Sequence, residues 1–220
     1  MRPLGEVIRS CGAWCHQYAD GTQLYLSFFP IAVEAVPTLE HCLGTVLEWM
    51  RANGLRPNLD KTEILHVGGP GTSGLGNSLS FGGVTFPMKN EVCSLGICLD
   101  SDHTMETQVA SVVWTAHFHL RRIAQLRPYL DVGALTKLIH ALVISRIDYC
   151  SALYMGLPLR LMCKLQMVQN SAARLITGVK KFQHISPTLA ALHWLPVHFH
   201  IDFKVMMITL KALGLRPRYL

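Results

Sequence analysis

The period of the hydrophobic residues changes near residue 103, and this change constrains the fold more than any other feature. Before it, short β-prone runs alternate with turn residues, one helix is predicted over about 37–52, and strands are predicted over 62–67, 80–86 and 92–99. After it, apolar residues recur at helical spacing. The helices predicted there cover residues 105–126, 132–149, 159–177, 187–192 and 197–213. The pattern predicts an α+β chain with a mixed domain over 1–103, whose short strands are antiparallel, and an all-helical domain over 104–220.

The charged residues are divided unevenly between the two halves of the chain. Residues 1–110 hold 6 Lys and Arg against 11 Asp and Glu, whereas residues 111–220 hold 14 against 3. A strongly basic module attracts a polyanion, of which nucleic acid is the principal biological example. A generic basic surface accounts for the charge equally well, so charge alone leaves both interpretations open.

Composition excludes several classes of protein. The 220 residues are 50% hydrophobic and 15% charged, which excludes intrinsic disorder and allows a buried core. Charged residues interrupt both the start of the chain and the apolar segment 196–213, so neither a signal peptide nor a membrane span is predicted. The seven cysteines form no CxxC pair, which favours reduced, buried thiols. We therefore expect an intracellular protein, nuclear or cytoplasmic, without a membrane partner; the sequence specifies no oligomeric state.

Residues 13–28 predict a β-hairpin. The runs 13–18 and 22–28 are rich in aromatic and β-prone residues, and Ala19-Asp20-Gly21 separates them. Asp-Gly between two such runs is a strong hairpin signal, because both residues tolerate positive φ.

Seven stretches of the chain, taken in order, resemble one protein family. They are HQYAD with TQLYLSF (16–28), EWMRAN (48–53), NLDKTE (58–63), SLG with LD (94–100), SRIDYC (145–150), LQMVQNSAAR (165–174) and LHWLPV (192–197). In this order and spacing they resemble the reverse transcriptases of non-LTR (LINE-type) retrotransposons. The resemblance covers nearly the whole chain.

The resemblance implies an RNA-directed DNA polymerase, a nucleotidyltransferase that uses Mg²⁺. Residues 1–103 would be the later part of its palm, and residues 104–220 its thumb with a helical extension. The family's metal-binding turn would be Tyr18, Ala19, Asp20 and Gly21, with Asp20 as a metal ligand. Lys61 would lie near the phosphates of the incoming nucleotide.

Two departures from the family pattern weaken the catalytic expectation. Gly21 stands where the family has a second aspartate, and the family's earlier catalytic aspartate has no counterpart here. One carboxylate is a poor site for magnesium ions, which give up water reluctantly. We therefore expect Asp20 and Lys61 to be vestigial, no stably bound Mg²⁺ and no polymerase activity from this chain alone. Relative to the family, both ends of the chain are expected to be truncated.

The basic half supplies the candidate nucleic-acid contacts. Family thumbs follow the duplex backbone, and phosphate contacts require positive charge without base-specific geometry. The residues expected to touch phosphate are Arg121, Arg122, Arg127, Lys164, Arg174, Lys180 and Lys181. The same residues would also suit an ordinary solvated helix face. No zinc site is predicted, because the rings of His117 and His119 point apart on a helix and no cysteine pair assists them.

The sequence thus favours a truncated, catalytically inactive reverse transcriptase domain that binds RNA or an RNA–DNA hybrid. The alternatives are a non-enzymatic basic helical module that binds RNA or protein, and a translated remnant without a function.

Overall fold

The computed structural model describes residues 3–28, 35–68 and 78–214. The chain divides into two compact units. The first runs from the N-terminus to Cys93 and includes residues 99–103, whereas the second comprises residues 94–98 and the chain from Thr104 onward. The first unit mixes helices and strands and the second is mainly helical, so the α+β class is confirmed at this coarse level.

The first unit begins with a short helix and the predicted hairpin. Helix α1 (Leu4–Ser10) precedes strands β1 (Trp14–Tyr18) and β2 (Gly21–Tyr25), and helix α2 (Ala35–Ala52) follows. A small core joins them, formed by Ile8, Ala13, Cys42 and Val46. Burial and the neighbouring Cys11 raise the pKa of the Cys42 thiol to about 12, so this thiol remains protonated at neutral pH.

A three-stranded sheet completes the first unit. Strands β3 (Ile64–Leu65), β4 (Ser78–Phe81) and β5 (Val84–Lys89) lie in the order β3-β5-β4. The prediction of antiparallel strands is wrong for β3, which runs parallel to β5. Strand β4 lies between them in the chain and runs in the opposite direction to both, so β3 and β5 point the same way. The single strand predicted over 80–86 is also wrong. Gly82 and Gly83 both take positive φ, at 61° and 80°, and turn the chain back on itself.

The strand predicted over 92–99 is likewise a hairpin. Strands β6 (Glu91–Ser94) and β7 (Ile97–Asp100) are joined by Leu95 and Gly96, which take φ of 51° and 79°. Cys93 and Cys98 are disulfide-bonded, so the prediction that all cysteines are reduced is wrong for these two. The turn places both cysteines on neighbouring strands, which the sequence spacing did not indicate. The described cysteines that remain free are Cys11, Cys15, Cys42, Cys150 and Cys163.

The turn segment 94–98 belongs to the second unit because that unit's side chains hold it. Tyr149 Oη donates a hydrogen bond to the Leu95 carbonyl oxygen at 2.6 Å. The Cys98 amide donates to Gln108 Oε1 at 3.0 Å. Both bonds fix the backbone of this short segment.

The second unit consists of helices close to the predicted bounds. They are α3 (Glu106–Leu126), α4 (Val132–Ile139), α5 (Ser145–Asp148), α6 (Leu159–Thr177), α7 (Ser186–Ala191) and α8 (Val197–Ala212). Thr104 Oγ1 accepts a hydrogen bond from the Glu106 amide at 3.3 Å, which helps α3 to begin. Within the described part of the chain, no helix is long and apolar enough to cross a membrane.

Helices α3 and α6 form the centre of the second unit and run in the same direction. Arg160 pairs with Glu106 where the two helices begin, and Arg127 lies against Gly178 where they end. The buried residues of the pair include Val109, Val112, Ala116, Leu120 and Ile123 from α3, and Leu161, Leu165, Val168, Ala172 and Ile176 from α6.

Helices α4 and α5 form one continuous element with a π-helical turn between them. Their buried residues recur at every fourth position, at Leu135, Ile139, Val143 and Ile147. In a straight α-helix such a row would rotate by about 40° at each step. The π-helical turn His140–Ile144 compensates for part of this rotation and keeps the row facing the core.

Candidate nucleic-acid interface

The hairpin turn consists of Ala19 and Asp20, one residue earlier than Asp-Gly predicts. Tyr18 pairs with Gly21 in the strand register, and Ala19 takes the positive φ of 51°. Gly21 is instead part of β2, where a Cβ atom would lie 3.3 Å from the Tyr18 carbonyl oxygen. Gly21 is therefore favoured by a close backbone approach rather than by its φ.

The two residues that the resemblance assigns to catalysis are not in contact with each other in the structure. Asp20 is exposed at the hairpin turn, and Lys61 is exposed at the end of a 3₁₀ turn, Leu59–Lys61. The two form no ion pair with each other. Among the residues described, no three His, Cys, Asp or Glu side chains are placed to hold a metal ion. The roles of Asp20, Lys61 and Mg²⁺ therefore stay predictions.

Four of the seven predicted phosphate contacts come together where α3 and α6 end. We call Arg127, Arg174, Lys180 and Lys181 the terminal cation cluster. Arg127 Nη2 lies 2.7 Å from the position that a Cβ atom would occupy on Gly178, which ends α6 with a φ of 74°. Arg127, Lys180 and Lys181 are exposed, whereas Arg174 is half-buried. The long-range contact of Arg127 is what joins the two ends into one surface.

Gln183 fixes the turn that carries the two lysines. Its carbonyl oxygen accepts a hydrogen bond from Arg174 Nη2 at 3.3 Å, and its side-chain Oε1 accepts one from the Lys180 amide at 3.2 Å. The half-buried Arg174 therefore positions this turn, and its Nε is buried with no partner in the described part of the chain. Sequence reasoning did not single out Gln183, because nothing in the local sequence marks it.

The other three predicted contacts lie outside the cluster. Arg121 and Arg122 are exposed near the end of α3, and the Arg122 guanidinium lies 5.5 Å from the centroid of the Phe118 ring. Lys164 is exposed near the start of α6, ten residues before Arg174. At 1.5 Å per residue it is about 15 Å away along the axis. The structure therefore does not bring Lys164 to the same surface.

Of the four carboxylates in the described part of the helical unit, three have partners of their own and the fourth, Asp202, is exposed on α8. Glu106 pairs with Arg160, and Asp148 pairs with Lys204. Asp131 Oδ1 accepts a hydrogen bond from the Ala134 amide at 2.7 Å and so begins α4. Within the described ranges, no cluster residue forms a salt bridge. The partial negative charge at the ends of α3 and α6 attracts these cations weakly.

Replacing Gly178 tests whether the end of α6 shapes this surface. We expect Gly178→Ala to lower the free energy of unfolding by about 1 kcal/mol or more, because Ala is strained at positive φ and Arg127 must move away. Gly44→Ala is the matched control, since Gly44 lies inside α2 with open space around its Cβ position. That change should stabilise by about 0.5–1 kcal/mol. Urea unfolding followed by circular dichroism measures both; equal effects would contradict the account of Gly178.

A second set of charged side chains in the helical unit, formed by Asp148, His200 and Lys204, links α5 to α8. Lys204 Nζ donates to both carboxylate oxygens of Asp148, at 2.8 and 2.9 Å, and His200 Nε2 lies 2.5 Å from Asp148 Oδ1. The histidine therefore contacts a carboxylate that also binds a lysine. Burial by itself would raise the pKa of Asp148, but the hydrogen bonds and charges of Lys204 and His200 outweigh it and lower that pKa.

The lowered pKa of Asp148 predicts acid sensitivity of the helical unit. A depressed carboxyl pKa contributes stability above its unfolded value of about 3.9, and this stability is lost as pH falls through the folded pKa. Asp148 is 40% exposed, so solvent screening limits the effect to about 1 kcal/mol or less. We expect Asp148→Asn to reduce the dependence of the unfolding midpoint on pH between about pH 2 and 5. An unchanged pH profile would show that the carboxylate contributes nothing.

Comparison of this chain with protein-family models, with curated proteins and with solved structures finds no match. The seven motifs and the geometry of the terminal cation cluster are therefore the features of this chain that bear on its function.

Proposed function

We propose that this chain derives from a LINE-type reverse transcriptase, with a palm-like first unit and a thumb-like second unit, and that the second unit binds the backbone of an RNA–DNA hybrid. The observation that carries the binding proposal is the terminal cation cluster. Residues that are 47 or more positions apart in sequence, Arg127 and those around Arg174–Lys181, meet at one end of the α3–α6 pair. No described carboxylate neutralises them.

The chemistry of the cluster suits phosphate better than it suits a base edge. The exposed charges of Arg127, Lys180 and Lys181 provide attraction that depends on salt and not on sequence. Arginine adds planar, bidentate donors that match phosphate oxygens. Gln183 holds the lysine-bearing turn in place, which lowers the entropy lost when the two lysines engage a backbone.

The first unit contributes no catalytic step in this proposal. Asp20 is a single exposed carboxylate, and Gly21 replaces the second acidic residue of the family turn. We expect the purified chain to bind a labelled RNA–DNA hybrid and to give no primer extension with Mg²⁺ and nucleotides. Extension above background by the wild-type chain would overturn the inactive part of the proposal.

Gly21→Asp is the informative companion variant. It restores the family's acidic pair at a position where a Cβ atom lies 3.3 Å from the Tyr18 carbonyl oxygen, so the hairpin must shift by a few tenths of an ångström. We expect this variant to remain inactive, because two adjacent carboxylates on a turn give Mg²⁺ few ligands, and among the described residues no three ligating side chains are grouped to hold a metal ion. Activity in the variant alone would show that Gly21 is the sole cause of inactivity.

The non-enzymatic alternative, a basic helical module that binds RNA or protein, uses the same cluster. A competition experiment between RNA and an RNA–DNA hybrid distinguishes a module that binds RNA from one that binds protein. An RNA–DNA hybrid that displaces bound RNA at comparable concentration supports a backbone contact, whereas indifference to both nucleic acids favours a protein partner.

A further inference from the structure

A cavity of about 210 Å³ lies within the first unit, and none of its lining residues belongs to the terminal cation cluster. It is bounded by the end of β2, the start of α2 and strands β3 to β5. Its walls are aliphatic and aromatic, and include Leu24, Leu39, Ile64, Val67, Leu79 and Met88. Among the described lining residues, only Tyr25 and His66 have polar side chains.

His66 contributes a polar atom whose hydrogen-bonding capacity is unused. Its Nε2 is buried and makes no hydrogen bond with any residue that the structure describes. The ring stacks against Phe28, with centroids 6.1 Å apart and planes at 23°. A buried polar atom without a hydrogen-bond partner costs free energy, so a ligand that supplies the missing partner binds more tightly. Because either tautomer of His66 is possible, a hydroxyl is the best match, since it both donates and accepts.

The volume indicates the size of the ligand that the cavity can bury. An apolar cavity of about 150 Å³ is large enough to bind benzene, and drug-sized ligands need about 300 Å³ or more. A cavity of 210 Å³ therefore has room for one six-membered ring with a hydroxyl and a short alkyl group. The flat, stacked rings of Phe28 and His66 favour an aromatic ligand over a branched aliphatic one.

We propose that this cavity is a binding site for a small alkyl phenol whose hydroxyl hydrogen-bonds to His66 Nε2. The apolar lining holds the ring and the alkyl group, and the histidine selects the hydroxyl. The proposal is independent of nucleic-acid binding, because no residue of the cavity belongs to the terminal cation cluster.

Two ligands that differ only in the hydroxyl test the proposal on the full chain. Calorimetric titration with 4-ethylphenol should give saturable binding, and ethylbenzene should bind about tenfold more weakly, since it leaves His66 unpaired. His66→Phe keeps a ring against Phe28 and should abolish this difference by weakening only 4-ethylphenol. Ala35→Leu adds three carbons to a residue that lines the cavity and should weaken both ligands.

The result that would overturn the proposal is no saturable binding of 4-ethylphenol, or equal affinity for the two ligands by the wild-type chain. Binding that survives both His66→Phe and Ala35→Leu unchanged would place the ligand elsewhere and also overturn it. Circular dichroism of each variant establishes that it is folded. If a variant fails to fold, the comparison of the two ligands on the wild-type chain decides the question by itself.

Discussion

Reversing the charge of Lys180 and Lys181 should weaken binding of an RNA–DNA hybrid by about a hundredfold at 0.1 M salt, because each phosphate contact contributes about tenfold there. Both lysines are exposed and lie in the turn that Gln183 fixes. Lys180→Glu with Lys181→Glu removes two phosphate contacts and adds repulsion in their place. Fluorescence anisotropy of a labelled hybrid measures the loss.

The matched control reverses two lysines on other helices. Lys137 on α4 and Lys211 on α8 are exposed, and changing both to Glu alters the net charge by the same amount. We expect this control to retain most of the affinity. Equal losses in the two double variants would mean that the chain responds to net charge, and that the terminal cation cluster is not a defined interface.

Truncating Leu165 should produce the largest loss of stability. Its side chain is fully buried in α6, where it packs in the centre of the helical unit. Replacing a buried leucine by alanine removes apolar burial and leaves a cavity, at a cost of about 2–5 kcal/mol. We expect Leu165→Ala to lower the urea midpoint of the helical unit by a corresponding amount, measured by far-ultraviolet circular dichroism.

Leu159→Ala provides the control on the same helix. Leu159 is 77% exposed, so the same chemical change should alter the free energy of unfolding by no more than about 0.5 kcal/mol. Similar effects of the two substitutions would contradict the packing of α6 against α3. The contrast depends on burial alone, since both leucines lose the same atoms.

The helical half could be predicted well from the sequence because its signals are local. The apolar row of α6 and the glycine after it define Leu159–Thr177, and the structure gives the same bounds. The π-helical turn after α4 escaped prediction, since it becomes visible only when the spacing of buried residues is known. The short 3₁₀ helices Arg127–Tyr129 and Ser151–Tyr154 were not predicted either.

The short strands of the first half were predicted less well. Gly82-Gly83 and Leu95-Gly96 are turns within segments that had been predicted as single strands. The Gly-Gly pair carries a recognisable hairpin signal. Leu95 at positive φ does not, because a leucine rarely adopts that conformation and this turn is held by contacts with residues distant in sequence, such as the hydrogen bond from Tyr149.

The candidate sites depend on contacts that no local pattern encodes. Arg127 meets the end of α6 across 50 residues of sequence, and Gln183 joins Arg174 to Lys180 through its own backbone and side chain. His66 appeared from the sequence to be a strand residue, and its unpaired Nε2 becomes apparent only in the cavity. Charge alone identified the members of the cation cluster, but not which of them share a surface.

The most direct test of nucleic-acid binding is the salt dependence of affinity for an RNA–DNA hybrid, measured on the wild-type chain by fluorescence anisotropy. Three exposed cations in the cluster, at about 0.9 per phosphate contact, predict a slope of log affinity against log salt near −3. The double reversal of Lys180 and Lys181 should reduce it to about −1. A wild-type slope near zero, or no binding at low salt, would contradict the proposal that the helical unit binds a nucleic-acid backbone.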